Sequence, residues 1–241
     1  MPGRSVADIA IIGKGRIGRA LAAAFVRAGH EVAGPLGRGQ RAAAEIALVC
    51  VPDSEIPAAA DVVAGSARFL GHTSAATQLA ALGGGETFSL HPLQTVTTEG
   101  ADFDGCACAI AGSTPAGLER ARELSAALGM RAFVIDDSER AAYHAAASIA
   151  SNFLVTLMGC AERAAQAASI APTQARAMLA PLVETTVHNW ARLGPERALT
   201  GPIARGDEAT VAAQRAALPA ELLPVFDALA DRTRALAAVA A

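Results

Sequence analysis

Apolar residues in the first part of the chain form short runs that alternate with amphipathic segments. Residues 9–12 have the length and β-branched composition of a buried strand. Residues 19–27 are rich in alanine with the apolar spacing of a helix, and a second short apolar run surrounds Val32. These stretches predict a strand, a helix and a strand in succession.

The same alternation continues to about residue 137. Asp53 is expected to cap a helix, and the polar residues His72, Thr73, Ser74 and His91 follow apolar runs. Strands that alternate with helices predict a parallel sheet, in which ligands bind beyond the carboxyl ends of the strands. The pattern predicts strands at 45–51, 68–71, 87–90, 105–111 and 131–135, and helices at 54–64 and 115–128.

From residue 139 onward the pattern becomes entirely helical. A run of small and apolar residues predicts one long helix that reaches residue 168. Further helices are predicted at 173–193, 207–218 and 221–240, with a Gly/Pro-rich loop after the first of them. The predicted fold class is therefore α/β, a Rossmann-like parallel sheet at 1–137 followed by an all-helical domain at 138–241.

The first predicted strand ends in the glycine pattern Gly13-Lys14-Gly15-Arg16-Ile17-Gly18. Gly13 allows a tight turn, Gly15 lets backbone N–H groups approach a pyrophosphate, and Gly18 lets the helix pack on the strand. The helix N-terminus also favours an anion. This context predicts a dinucleotide site, with a purely structural turn as the alternative.

The end of the second strand indicates which dinucleotide binds. NAD enzymes usually place a carboxylate there for the ribose 2′-hydroxyl, but Glu31 comes too early in the chain. Arg38 and Arg41 are instead suited to a 2′-phosphate. The sequence favours NADP (NADPH) as the cofactor, although the two arginines could also belong to a solvated loop.

Composition narrows the functional class. The chain has 241 residues, of which 52% are hydrophobic and 18% charged, with a net charge of −3, so it has no basic surface typical of nucleic-acid binding. Four cysteines lack metal-ligand spacing, and no targeting signal or membrane span is evident. We expect a cytoplasmic protein with no metal, nucleic-acid or membrane partner. Lys14 is the only lysine, which excludes a catalytic lysine elsewhere.

A polar stripe recurs every four residues along the long predicted helix, at Arg140, His144, Ser148 and Asn152. Such a stripe either lines a cavity or is solvated, because unpaired polar groups are costly to bury. His144 is the best proton donor by residue type, while the Tyr143 phenol, with an ordinary pKa of about 10, is weaker.

The loop at 198–207 is the other dense polar stretch, presenting Thr200, Arg205 and Asp207. Arg205 could bind a substrate carboxylate. The alternative is that Asp207 caps the following helix and Arg205 is its surface partner.

Several of these motifs together resemble a known family. His91-Pro92-Leu93-Gln94, Tyr143-His144, Ser151-Asn152 and the loop Leu199-Thr200-Gly201-Pro202 to Arg205-Gly206-Asp207 resemble Rossmann-like proteins with a DUF2520 C-terminal domain, in the 6-phosphogluconate dehydrogenase-like superfamily. The resemblance implies a helical C-terminal domain like that of the superfamily, a homodimer through the C-terminal helices, and an active site between the two domains.

More distant superfamily members carry Lys-x-x-x-Asn where this chain has Ser148 to Asn152. The missing lysine shifts the predicted proton donor to His144. The predicted catalytic residues are His144, Ser148, Asn152 and Arg205. The predicted cofactor-binding residues are Gly13, Gly15, Arg16, Ile17, Gly18, Arg38, Val51, Pro52 and His91.

The favoured function is an NADP-dependent oxidoreductase that transfers hydride to a small 2-oxo acid, ketopantoate-like, or to an imine. The alternatives are a non-catalytic NADP-binding regulator and an imine reductase resembling pyrroline-5-carboxylate reductase. The sequence also leaves open the deazaflavin F420 or NADH as the hydride source.

Overall fold

The structure, a computed structural model, describes residues 7–240. The chain divides into two compact units between Ser151 and Asn152, later than the boundary after Asp137 that the sequence suggests. The first turns of the long helix therefore belong to the first unit.

A seven-stranded sheet forms the centre of the first unit. Strands β1 to β5 are parallel to each other, so their carboxyl ends share one edge. The expectation of a parallel sheet is wrong for β6, which runs antiparallel to β5, because the segment between them contains no crossover helix. The strands, in the order β2-β1-β3-β4-β5-β6-β7, are β1 Ala7–Ile12, β2 Val32–Leu36, β3 Ala44–Val49, β4 Phe69–His72, β5 Glu86–Pro92, β6 Ala107–Gly112 and β7 Arg131–Val134.

Three helices cover the sheet: α1 Arg16–Arg27, α2 Ile56–Val63 and α3 Pro115–Ala127. Helix α2 begins later than predicted because a 3₁₀ turn, Asp53–Glu55, precedes it. The predicted cap at Asp53 is wrong, since neither the turn nor α2 has a side-chain cap. A proline in the first turn of α2 needs no N–H partner there and favours that start.

The core lies on both faces of the sheet. Ile9 and Ile11 of β1 join a cluster with Leu21 and Phe25 of α1. The alternate residues of β1, including Ile12, join a second cluster on the other face. Because central strands are buried on both sides, they appear in the sequence as continuous apolar runs.

The long helix predicted from the apolar run is present, as 28 continuous residues from Arg140 to Ala167. It consists of α4 Arg140–Ser148, a π-helical segment Ile149–Phe153 and α5 Leu154–Ala167. By length and composition alone it could cross a membrane, a weak criterion that helices of soluble proteins also meet. The remaining helices are α6 Pro172–Leu193, α7 Pro195–Ala198, α8 Glu208–Ala217 and α9 Leu223–Ala240.

The N-terminal Rossmann-like sheet followed by a helical region confirms the predicted fold class.

Candidate functional site

The glycine turn between β1 and α1 has two positions that require glycine. Gly13 has φ +122°, and a Cβ there would lie 2.2 Å from the carbonyl oxygen of Cys50. A Cβ at Gly18 would lie 2.1 Å from the carbonyl oxygen of Gly13. At Gly15 the backbone is extended and a Cβ would meet nothing within 4 Å. The turn therefore packs tightly on the sheet while Gly15 faces open space, where a ligand can approach the backbone.

A cavity of about 570 Å³ lies beside this turn. Its walls come from the turn, from residues 37–40 after β2, from the segment between β3 and α2, and from one face of α2. Because β2, β1 and β3 are neighbours in the sheet, the segments that follow them lie side by side. The polar and predicted lining residues are Gly13, Lys14, Gly15, Arg38, Gln40, Val51, Pro52, Ser54 and Glu55.

The other predicted cofactor residues lie outside this lining. Arg16 is exposed and lines a neighbouring cavity that also contains Lys14 and Arg19. Ile17 packs against the core, Gly18 is buried under the turn, and His91 lies on β5. Arg41, the second arginine of the sequence argument, is exposed and does not line the cavity.

A carboxylate stands beside Arg38, which the sequence did not indicate. Arg38 Nη2 donates to Glu55 Oε1 at 2.7 Å, and both residues line the cavity. No carboxylate directly follows β2 in the sequence, and the residues near β2 alone do not indicate one that arrives from another strand. Glu55 comes from the turn after β3, two strands away in the sheet.

A second polar group lies at the edge of the same unit, where β5 ends. Tyr143 Oη of α4 lies 2.7 Å from His91 Nδ1, and the two rings meet edge to face. Phe133 of β7 makes a further edge contact with the Tyr143 ring. Both Tyr143 and His91 are half-buried. The pair is thus held by packing while part of each side chain stays accessible.

Arg140 anchors α4 to the sheet. Its side chain is 2% exposed, and it donates from Nε to Asp137 Oδ1 at 2.5 Å and from Nη2 to Ser89 Oγ of β5 at 2.7 Å. The prediction that Arg140 belongs to a cavity-lining or solvated stripe is therefore wrong. A guanidinium can be buried at this position because it has these partners.

The polar residues after β4 are buried rather than presented to a ligand. His72 is 0% exposed, and its Nδ1 accepts from the backbone N–H of Ser74 at 3.2 Å. Its Nε2 is buried and has no partner in the part of the chain that the structure describes. Thr73 and Ser74 are also buried.

Burial governs the ionisation of these groups. Desolvation, with smaller repulsion from Arg140, lowers the pKa of His72 to about 4. Desolvation, followed by repulsion from His144 and Arg140, lowers the pKa of His91 to about 4. Desolvation raises the pKa of Tyr143 to about 12. At neutral pH this edge therefore carries two neutral imidazoles and a protonated phenol.

The predicted catalytic residues divide between the two units. In the first unit, His144 is exposed and Ser148 is half-buried. In the second unit, Asn152 is exposed in the π-helical segment, and Arg205 is exposed at the end of a 3₁₀ turn, Ile203–Arg205. The π-helical geometry shifts the repeat of the helix, so the regular four-residue stripe is interrupted before Asn152.

Asp207 is the cap of α8, one of the two alternatives that the sequence left open. Its Oδ1 accepts from the backbone N–H of Thr210 at 3.1 Å, and its Oδ2 accepts from the Thr210 hydroxyl. Among residues 7–240, no three His, Cys, Asp or Glu side chains are grouped to hold a metal ion.

Residues 106–233, just over half of the chain, match the family model described as "Domain of unknown function (DUF2520)". No curated protein sequence matches the chain.

Solved structures share the fold over nearly the whole length. A Bacteroides fragilis protein provisionally described as an NADP oxidoreductase aligns with TM-score 0.81 at 19% identity, covering 95% of this chain and 98% of that one. Protein TM1727 from Thermotoga maritima aligns with TM-score 0.76 at 20% identity, with 96% and 98% coverage. A reductive aminase from Aspergillus terreus, in complex with NADPH and ethyl levulinate, aligns with TM-score 0.66 at 17% identity, with 95% and 93% coverage.

Proposed function

The chain belongs to the DUF2520 family, and we propose that it is an NADP-dependent oxidoreductase that reduces a C=N or C=O bond of a small molecule. The observation that carries this proposal is that two features, a cleft and a polar pair, lie at the same edge of the sheet. A cleft of about 570 Å³ lies after β1, β2 and β3, and the Tyr143–His91 pair lies at the end of β5. The reductive aminase of similar fold, whose structure was solved with NADPH, supports the proposed NADP-dependent reduction.

The residues of the cleft fit NADP(H). Gly15 leaves its backbone open at the N-terminus of α1, which favours a pyrophosphate. Arg38, which lines the cleft with an 84% exposed side chain, would hold the 2′-phosphate, and Val51 and Pro52 would line the adenosine portion. When bound, the nicotinamide supplies the hydride. Arg16, Ile17, Gly18 and His91 complete the proposed cofactor-binding set.

The protein's own task is then to supply a proton or hydrogen bond where negative charge develops on the substrate oxygen or nitrogen. His144 remains our proposed proton donor, with Ser148 as a hydrogen-bonding neighbour. The Tyr143 hydroxyl, which stays protonated at neutral pH, is a second donor within the same helix turn. The roles of Asn152 as a hydrogen bonder and of Arg205 as a carboxylate ligand are likewise proposals.

The test is NADPH oxidation followed by absorbance with two substrate panels, small 2-oxo acids and cyclic imines. We expect turnover with one panel, and a fall of about 10²–10⁴-fold in kcat for His144→Ala with unchanged NADPH affinity. Tyr143→Phe distinguishes the two donors. If His144→Ala turns over at the wild-type rate, His144 is not the donor. NADPH binding without turnover on either panel would favour the regulatory alternative.

We also propose that the second unit assembles as a homodimer. Within the described part of this unit, four apolar residues are buried, and two of them are alanines: Ala175, Val211, Leu222 and Ala230. Several large apolar side chains are exposed instead, and a surface rich in exposed apolar side chains favours an interaction site. They include Phe153, Val155, Met178, Leu182 and Trp190.

A second copy of the chain would cover these residues. Light scattering is expected to give the dimer mass, and Leu182→Glu to shift it towards the monomer. A monomeric wild type, or one that needs detergent to stay dispersed, would contradict the proposal. Cytoplasmic localisation remains a prediction.

A further inference from the structure

We propose that Glu55 and Lys14 set the cofactor selectivity of the cleft. Glu55 competes with the 2′-phosphate of NADPH for Arg38, and Lys14 supplies a second cation for that phosphate. The inference rests on the proposed function, because it concerns how the same cleft distinguishes NADPH from NADH.

The first step is the ion pair itself. Arg38 and Glu55 are 2.7 Å apart, and their side chains are 84% and 42% exposed. An ion pair this exposed contributes little to stability, so it opens readily when a competing anion arrives. A 2′-phosphate bound by Arg38 would stand next to the Glu55 carboxylate, whose like charge opposes it.

The second step is the position of Lys14. Its Nζ lies 3.4 Å from where a Cβ of Gly37 would stand, so the ammonium group covers the start of the loop that carries Arg38. That loop is closed by Gln40, whose Oε1 accepts from the Gly37 backbone N–H at 2.7 Å. Lys14 and Arg38 thus both line the cavity, and Lys14 lies against Gly37, the residue before Arg38.

The third step is what this arrangement does to each cofactor. A carboxylate at the end of the second strand of a Rossmann site accepts a hydrogen bond from the ribose 2′-hydroxyl of NADH, whereas an arginine accommodates the 2′-phosphate of NADPH. Glu55 comes from the turn after β3, but its hydrogen bond to Arg38 brings its carboxylate beside the arginine that follows β2. The cleft contains both types of group. Glu55 therefore supports NADH and opposes NADPH, while Arg38 and Lys14 support NADPH.

The test measures dissociation constants of NADPH and NADH by nucleotide fluorescence, with 2′,5′-ADP as a competing ligand. For Glu55→Gln we expect NADPH to bind about three- to tenfold more tightly and NADH to bind more weakly by a similar factor. For Lys14→Met we expect NADPH and 2′,5′-ADP to weaken by about tenfold, with NADH within about twofold of wild type.

Glu45→Gln is the matched control, because Glu45 forms an exposed ion pair with Arg120 outside the cleft. It should change neither affinity. If Glu55→Gln leaves NADPH binding unchanged or weakens it, Glu55 does not compete with the 2′-phosphate for Arg38. The proposed function would still stand. If Lys14→Met weakens the binding of NADPH and NADH equally, Lys14 does not interact with the 2′-phosphate. If wild type binds neither nucleotide, both the inference and the proposed function fail.

Discussion

The hydroxyl of Tyr143 lies 2.7 Å from Nδ1 of His91, which joins the first turn of α4 to the end of β5. Neither ring is charged at neutral pH, because burial raises the pKa of Tyr143 and lowers that of His91. The contact is therefore a hydrogen bond between two neutral groups at the end of β5, on the sheet edge on which the proposed reaction depends.

Tyr143 is the single tyrosine of the chain, so its ionisation can be measured directly. Because burial disfavours the charged phenolate, tyrosinate absorbance should reach its midpoint near pH 12 rather than near pH 10. Circular dichroism over the same range must show that the fold persists to the midpoint. A folded protein that ionises near the ordinary value would mean that Tyr143 is solvated.

Acid should destabilise the protein through its buried imidazoles. The pKa of His72 is about 4 in the folded protein, against 6.5 for the unperturbed group. The pKa of His91 is also lowered from 6.5 to about 4. Between these values the unfolded chain binds protons that the folded chain does not, so the unfolding free energy falls as pH decreases from 6.5 to 4. Each histidine contributes a slope of about 1.4 kcal/mol per pH unit.

Urea unfolding at a series of pH values measures that slope. His72→Asn should remove about half of the histidine contribution to the slope. An unaltered slope in His72→Asn would show that His72 is not buried in its neutral form.

Arg140→Met should strongly destabilise the first unit. The substitution leaves the Ser89 hydroxyl buried without its donor and Asp137 without its cation. Because the Arg140 side chain is buried whereas Asp137 is 37% exposed, the loss of these bonds should cost about 2–3 kcal/mol. Arg38→Met, at an exposed pair, should cost about 1 kcal/mol or less. Equal losses in the unfolding free energy would contradict the burial of Arg140.

Asp207→Ala should lower the unfolding free energy, because the backbone N–H of Thr210 loses its side-chain acceptor. Asp207→Asn keeps an acceptor oxygen and should retain most of the stability. If both variants unfold like wild type, the cap is not formed in solution.

The sequence predicted the elements of the fold well because local signals specify them. Apolar runs located the strands, and the glycine pattern located the turn after β1. The antiparallel β6 was missed because strand direction depends on what connects β5 to β6, which periodicity does not report. Helix α2 starts later than predicted because an uncapped 3₁₀ turn precedes it.

The candidate site was harder to predict because its important contacts join residues that are distant in sequence. Glu55 reaches Arg38 only because β2, β1 and β3 are adjacent in the sheet. Likewise, the pairing of Tyr143 with His91 and of Arg140 with Ser89 depends on where α4 meets β5. Residue type alone ranked Tyr143 below His144 and placed Arg140 on an accessible stripe.

The central claim, that the glycine turn binds a dinucleotide, is tested most directly at Gly15. Its backbone, φ −69° and ψ −178°, suits any residue, and a side chain there meets no protein atom within 4 Å. Gly15→Val should therefore fold like wild type yet occupy the space that the pyrophosphate needs. Gly159→Ala, at another uncrowded glycine, is the control.

The measurement is the NADPH dissociation constant of wild type, Gly15→Val and Gly159→Ala, with thermal unfolding recorded in parallel. Our account predicts that Gly15→Val weakens NADPH binding by about 100-fold or more at unchanged stability, since close backbone approach is lost. Gly159→Ala should bind as wild type does. A folded Gly15→Val protein that binds NADPH with wild-type affinity would show that the turn does not hold the cofactor.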